Sequence, residues 1–163
     1  MKKIVFIVIV TLFSFSTVAQ EITFSKEALA DTLKTLDNSE KTFSEILNTY
    51  KGKTILIDVW AGWCKDCVGG LPKVKKLQKK NKNVVFLFLS LDKTSESWKK
   101  AIDVFKIKGE HYFIQSGWKG ALCSSIDLDW IPRYMIVNPE GKINLFKAVK
   151  ADDEKIENIL QGL

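Results

Sequence analysis

Two stretches of the chain are apolar at nearly every position, Thr54 to Val59 and Val84 to Leu91. Strands in the middle of a sheet read this way, because helices cover both faces and no position is left to solvent. Between them Cys67, Leu71, Val74 and Leu77 recur at the spacing of one helix face, which predicts a βαβ unit with a right-handed crossover. Pro72 falls inside this pattern and predicts a break in the helix. Trp98, Ile102 and Phe105 mark a second amphipathic helix. Further on, Tyr134 to Val137 and Ile143 to Phe146 flank Asn138-Pro139-Glu140-Gly141, an order of residues that suits a type I turn between antiparallel strands. Ile156, Ile159, Leu160 and Leu163 then give a closing helix.

Upstream of the first apolar run, Thr42 and Glu45 have the spacing of a capping box, Phe43, Ile46, Leu47 and Tyr50 share a helix face, and Gly52 ends the pattern. The segment from Ile22 to Thr42 is ambiguous. Ala28, Leu29, Leu33 and Leu36 fit a helix, whereas Asp37-Asn38 is a turn signal. Lys108 to Asp129 is longer than the usual connection of about 4–6 residues and carries His111, Tyr112, Phe113, Trp118 and Cys123. An exposed loop of that composition would present an apolar patch, so part of it is expected to be structured. Its aromatic side chains form either a rim for a partner or ordinary packing at the sheet edge.

Lys2 and Lys3, the apolar run from Ile4 through Phe15, and Thr17-Val18-Ala19 together read as a signal peptide over 1–19, with a single domain over 20–163. The run is shorter than the roughly 20 residues a membrane helix needs, which makes a retained anchor the lesser alternative. At 46% hydrophobic and 27% charged residues, the composition is that of a soluble globular protein. The formal charge of +6 loses two units with Lys2 and Lys3. Lys73, Lys75, Lys76, Lys79, Lys80 and Lys82 lie on a helix whose other face is apolar, so they read as a solvated face, and no nucleic-acid partner is expected.

The candidate chemistry lies at Trp60-Ala61-Gly62-Trp63-Cys64-Lys65-Asp66-Cys67, where the first apolar strand gives way to the helix. A cysteine at a helix start meets the free amides of the first turn, which favour a thiolate. The second cysteine lies one turn along on the same face and is placed to attack a mixed disulfide formed by the first. Cys64 is therefore the candidate attacking thiol, with its sulfur expected toward solvent, and Cys67 the buried resolving thiol. Lys65 favours a Cys64 thiolate and Asp66 opposes it, by about 1 kcal/mol each in a screened setting, so the pair nearly cancels. Asp58 is a carboxylate inside an apolar strand, where burial raises its pKa and suits it to take the Cys67 proton.

Trp-Cys-x-x-Cys after a strand, Asp58 before it, Pro72 after it and Ile131-Pro132 downstream together resemble the thioredoxin superfamily. Lys51-Gly52-Lys53, the Trp98 helix and Ile131-Pro132-Arg133-Tyr134 resemble its extracytoplasmic TlpA/ResA-like branch, the likeness covering Thr42 to Leu163. The resemblance implies an α/β thioredoxin fold: a mixed central sheet with helices on both faces, an N-terminal hairpin, and an insertion before a cis-proline at Pro132. It implies thiol:disulfide oxidoreductase activity on protein cysteines, without an organic cofactor, fed by an upstream dithiol donor in the periplasm or cell envelope. Ile131 and Pro132 would dock the substrate backbone beside Cys64, and Trp63 would offer a flat apolar contact. Trp60 would either shield the thiols or pack in the core. Thioredoxin pairs its buried aspartate with a lysine, and the strand Val84 to Leu91 contains none. Two rival readings remain: a thioredoxin-fold binding module with an idle disulfide, and a Cys₃His zinc site formed by Cys64, Cys67, His111 and Cys123.

Overall fold

The computed structural model describes residues 23–162, and the expected signal peptide lies outside them. In chain order the elements are α1 (Lys26–Ala30), β1 (Thr32–Lys34), β2 (Glu40–Thr42), α2 (Phe43–Thr49), β3 (Ile55–Trp60), α3 (Lys65–Lys80) and β4 (Val85–Ser90). There follow α4 (Ser95–Phe105), β5 (Glu110–Ile114), α5 (Ala121–Ser125), β6 (Arg133–Val137), β7 (Ile143–Ala148) and α6 (Glu154–Gln161). The strands form one sheet in the order β2-β1-β5-β4-β3-β6-β7. β3, β4 and β5 run parallel, and the other pairs are antiparallel. This is the thioredoxin fold that the family resemblance implied.

The two apolar runs are the central strands, and every residue of β3 is buried. α3 crosses between them with Cys67, Leu71, Val74 and Leu77 against the sheet. The helix is not broken at Pro72, as its sequence predicts, but continues through it. A proline inside a helix costs about 3 kcal/mol, while each buried leucine or valine side chain contributes about 1.5–3 kcal/mol. The four-residue apolar face therefore outweighs the lost amide.

The ambiguous segment upstream contains both alternatives, a short helix and a hairpin. Ser25 caps α1, and β1 and β2 pair around Asp37 and Asn38, with Asn38 at φ +69°. Phe24 stacks edge-on against Phe43 of α2, with centroids 4.8 Å apart. Thr42 and Glu45 form the capping box at the start of α2. Gly52, at φ +82°, donates its N–H to Pro139 O, tying the approach to β3 to the β6–β7 turn.

The insertion follows the packing alternative at His111, Tyr112 and Phe113, as a strand that its sequence did not predict. Its first part is β5, which joins β4 in parallel and β1 antiparallel, so it is sheet and not a rim. Tyr112 is buried, His111 stacks on Phe88 at 5.0 Å, and Phe113 stacks on Trp98 at 5.8 Å. Of the aromatic residues singled out there, only Trp118 is exposed. The Asp31 carboxylate accepts from Ser116 Oγ (2.7 Å) and Leu122 N (3.0 Å), fastening the rest of the insertion to the end of α1.

Candidate active site

β3 ends at Trp60 and α3 begins at Lys65, so Ala61 to Cys64 form the turn between them. Cys64 is the N-cap of α3, and its sulfur accepts the Cys67 amide at 3.1 Å. The two sulfurs are joined in a disulfide whose Cα atoms lie 5.3 Å apart. Ile131 O lies 3.7 Å from Cys64 Sγ, and the Ile131–Pro132 peptide is cis. The sulfur of Cys64 is less open than expected. The residue is 6% exposed, against 2% for Cys67, because the Ile131 carbonyl and the bonded Cys67 sulfur cover it on two sides.

Asp58 lies in β3 between Phe88 of β4 and Tyr134 of β6. Its β4 neighbour is thus a phenyl ring, and β4 carries no lysine to face it. The carboxyl is fully enclosed, its Oδ1 has no hydrogen-bond partner, and burial raises its pKa from 3.8 to about 8. At neutral pH it is therefore mostly a neutral acid in the oxidised protein. Opposite residues of an antiparallel pair share a face. Tyr134 reaches α3 at Gly70, so Asp58 and Tyr134 lie on the sheet face that α3 covers.

Two further residues escaped sequence reasoning. Asp92, just beyond β4, accepts the Gly62 N–H with both carboxylate oxygens (3.1 and 3.0 Å) and the Ser90 hydroxyl at 2.9 Å. This anchors the turn that leads to Trp63 and Cys64. A side chain on Gly62 would collide with Ala101 of α4, so the turn passes where only glycine fits. The signal was present in Ser90-Leu91-Asp92, a polar end to an apolar strand. Arg133, directly after the cis-proline, is completely buried. Its guanidinium donates to Ile126 O (2.8 Å), Asp127 O (3.3 Å) and Asp129 Oδ1 (2.6 Å), bracing the segment that carries Trp130 and Ile131. Its position inside an apolar strand pattern concealed this.

Beside the disulfide a groove of about 520 Å³ runs between Lys65, Gly69 and Gly70 of α3, Trp130, Pro132 and Tyr134, and the Val149–Asp152 loop. Trp63, Trp130 and Val149 stand exposed around the site, as do Lys65 and Asp66. Trp60 instead belongs to the core, edge-on to Phe88. A larger cleft of about 980 Å³ lies elsewhere, around Lys53, Lys82 and Lys108, and contains none of the candidate residues.

The four residues of the Cys₃His alternative are not brought together. His111 Nε2 lies 3.2 Å from Ile107 O, and Cys123 is buried near Asp31, where burial and that carboxylate push its thiol up to about 12. Among the described residues no cluster of three or more His, Cys, Asp or Glu could hold a metal.

A disulfide capping a helix at the end of a central parallel strand, with a cis-proline facing it, defines a thioredoxin-type redox fold. The chain belongs to the thioredoxin-like family, whose model matches residues 52–143. ResA, a thiol-disulfide oxidoreductase of Bacillus thuringiensis, is 24% identical over 72% of this chain and 67% of its own length. Thioredoxin F of Oryza sativa is 28% identical over 48% of this chain, and the match spans only 42% of that protein. The crystal structure of the thioredoxin domain of a thiol-disulfide oxidoreductase from Bacteroides vulgatus superposes with a TM-score of 0.68 at 26% identity, covering 86% of this chain and 97% of that one. The ResA match agrees with the TlpA/ResA-like branch to which the motifs pointed.

Proposed function

We propose that this protein is a thiol:disulfide oxidoreductase acting on protein cysteines in the reducing direction. The observation that carries the reading is the Cys64 sulfur: it caps α3 beneath the Cys67 amide and lies beside the Ile131 carbonyl, next to a groove lined by Lys65 and Pro132. In the reduced protein the Cys64 thiolate attacks one sulfur of a substrate disulfide. A Cys64–substrate disulfide forms, and the other substrate sulfur leaves as a thiolate that takes a proton from solvent. The Cys67 S–H then gives its proton to Asp58 in its ionised form, which gains population as pH approaches 8, and the Cys67 thiolate attacks Cys64 Sγ. The Cys64–Cys67 disulfide forms, the second substrate thiolate departs, and two electrons have passed to the substrate.

Ile131 and Pro132 dock the substrate backbone, and Trp63 provides an apolar face for it. Lys65 and Asp66 offset one another beside Cys64, so no strong stabilisation of the thiolate biases the couple towards oxidation. No organic cofactor is required, and an upstream dithiol protein returns the electrons. Export to the periplasm or cell envelope is supported by the signal-like sequence of 1–19 and by the resemblance to the TlpA/ResA-like branch.

The test is the equilibrium potential of the Cys64/Cys67 couple, measured together with reduction of insulin disulfides. A value near thioredoxin's, about −270 mV, with turnover lost in Cys64→Ser, supports a reductase. A potential near that of the strong oxidants, about −120 mV, would reverse the direction, and absence of turnover would leave a binding module.

A further inference from the structure

Asp58 presents a problem the redox pair alone does not solve. To work over repeated cycles it must take a proton and give it back, yet it is 2% exposed and walled by apolar neighbours. Phe88 lies beside it on β4, Leu56 and Trp60 flank it along β3, and Leu71 and Val74 lie on the packed face of α3. Its cross-strand partner on β6 differs in kind. Tyr134 carries a hydroxyl that is itself buried and without a hydrogen-bond partner. The ring extends from β6 to α3, so that a Cβ on Gly70 would stand 3.0 Å from Tyr134 Oη. Gly70 is three residues beyond Cys67, and Tyr134 also lines the groove that opens beside Pro132. Two unpartnered oxygen-bearing side chains thus face the same layer, one in the core and the other at the groove floor.

We propose that Tyr134 is a positioning residue for proton movement: its hydroxyl polarises the space between Asp58 and the groove and sets how readily Asp58 takes and returns the Cys67 proton. The inference rests on the exchange reading above. It gives Asp58 a polar neighbour on β6, where its β4 neighbour Phe88 offers none. A neutral hydroxyl that stabilises the Asp58 carboxylate acts without adding a second buried charge, which would carry its own desolvation cost. In the step itself the Cys67 S–H bond breaks and an Asp58 O–H bond forms. Tyr134 keeps its own proton, and its O–H orients toward the carboxylate when that group is charged. The direction of the Tyr134 titration agrees: burial first, then Asp58, then Asp152 push it upward, so it stays a neutral donor throughout the working range.

The other charged groups near this layer lie at the groove rim. Lys73 pairs with Asp152 at 2.7 Å in the open, and Lys65, Asp66 and Lys150 stand with them. From α3, Cys67 is the titratable group on the packed face once the disulfide is reduced. Solvent screens the rim charges, whereas the hydroxyl shares the enclosed layer with Asp58.

Tyr134→Phe removes one oxygen and keeps the ring. The readout is the titration of Asp58 in the reduced protein, followed by carboxyl carbon NMR, with the pH dependence of disulfide exchange measured alongside. The expected result is a rise in the Asp58 midpoint of about one unit, roughly tenfold in proton affinity. The pH–rate profile should move with it while the thermal melting point stays close to that of the parent. Gly70→Ala, which crowds the hydroxyl without deleting it, is expected to shift the midpoint in the same direction by less. A midpoint and a pH–rate profile that both superimpose on the parent's overturn the proposal. The titration needs no turnover, so a parent that fails to exchange at all would count against the exchange reading while the midpoint still decides the role of Tyr134.

Discussion

Two aspartates stand at the C-terminal ends of neighbouring strands, one behind the redox turn and one beside it, and they are treated in opposite ways. Asp92 has its carboxylate filled by the Gly62 amide and the Ser90 hydroxyl. Asp58 is sealed in the core with Oδ1 unpartnered. The first carboxylate fixes a backbone through its hydrogen bonds, whereas burial without a partner pushes the second towards its neutral form. In the proposed mechanism both are used: Asp92 holds the turn that leads to Trp63 and Cys64, and Asp58 would take the Cys67 proton.

The sharpest way to break this pairing is at the sulfurs. Cys64→Ser is expected to lower exchange to background, and residual turnover in that variant would mean that Cys67 or Cys123 attacks unaided. Next comes Asp58→Asn, which keeps the shape and removes the proton acceptor. General acid–base catalysis contributes roughly 10²–10⁴-fold, so a loss of about 10² at pH 7 is expected, with the rate no longer rising as pH approaches 8.

The same variant carries a stability prediction of definite sign. The folded pKa of Asp58 lies above the unfolded one, so the Asp58 contribution to stability is fully present below pH 3.8 and is lost as pH rises through about 8. Asp58→Asn escapes that loss. Chemical unfolding of the oxidised proteins should show the variant gaining on its parent between pH 4 and 8, by a few kcal/mol at the upper end, with no gain in acid. A constant difference across that window would mean that Asp58 is not neutralised by burial.

Asp92→Ala tests the satisfied partner. The Gly62 amide and the Ser90 hydroxyl lose their acceptor, which costs about 1–3 kcal/mol, and exchange slows because the Cys64 turn loosens. The Asp58 midpoint should be unaffected, and a large shift there would merge two roles that the geometry separates. The smallest effect is expected from Cys123→Ala. Its thiol is enclosed and protonated, so the potential of the Cys64/Cys67 couple should not change.

The same contrast explains what the sequence revealed. The central strands, the capping box at Thr42, the βαβ crossover and the Cys64–Cys67 placement are written in local patterns: continuous apolar runs, a helical period, a cap three residues from its glutamate. Asp58 was legible because a carboxylate inside such a run has nowhere else to go. Asp92 was not, since its partner Gly62 lies thirty residues away and only the fold brings them together. Arg133 and Tyr134 sit in a strand whose period conveys burial but not that one braces a loop and the other reaches α3. The strand within the insertion went unforeseen for a related reason. His111, Tyr112 and Phe113 break the simple apolar run, and the sequence did not reveal that β1 and β4 were waiting on either side. Pro72 shows the converse, a strong local breaker overridden by the packed face of α3.

The central claim is that Cys64 makes and breaks bonds with cysteines of other proteins while Cys67 resolves them. Trapping tests it most directly: Cys67→Ser, reduced and mixed with a disulfide-bonded polypeptide, is analysed by mass spectrometry of its non-reduced peptides. The account predicts a stable one-to-one adduct through Cys64, which disappears in the Cys64→Ser/Cys67→Ser double variant. An adduct through Cys123, or none at all under conditions where free thiols react, would contradict it.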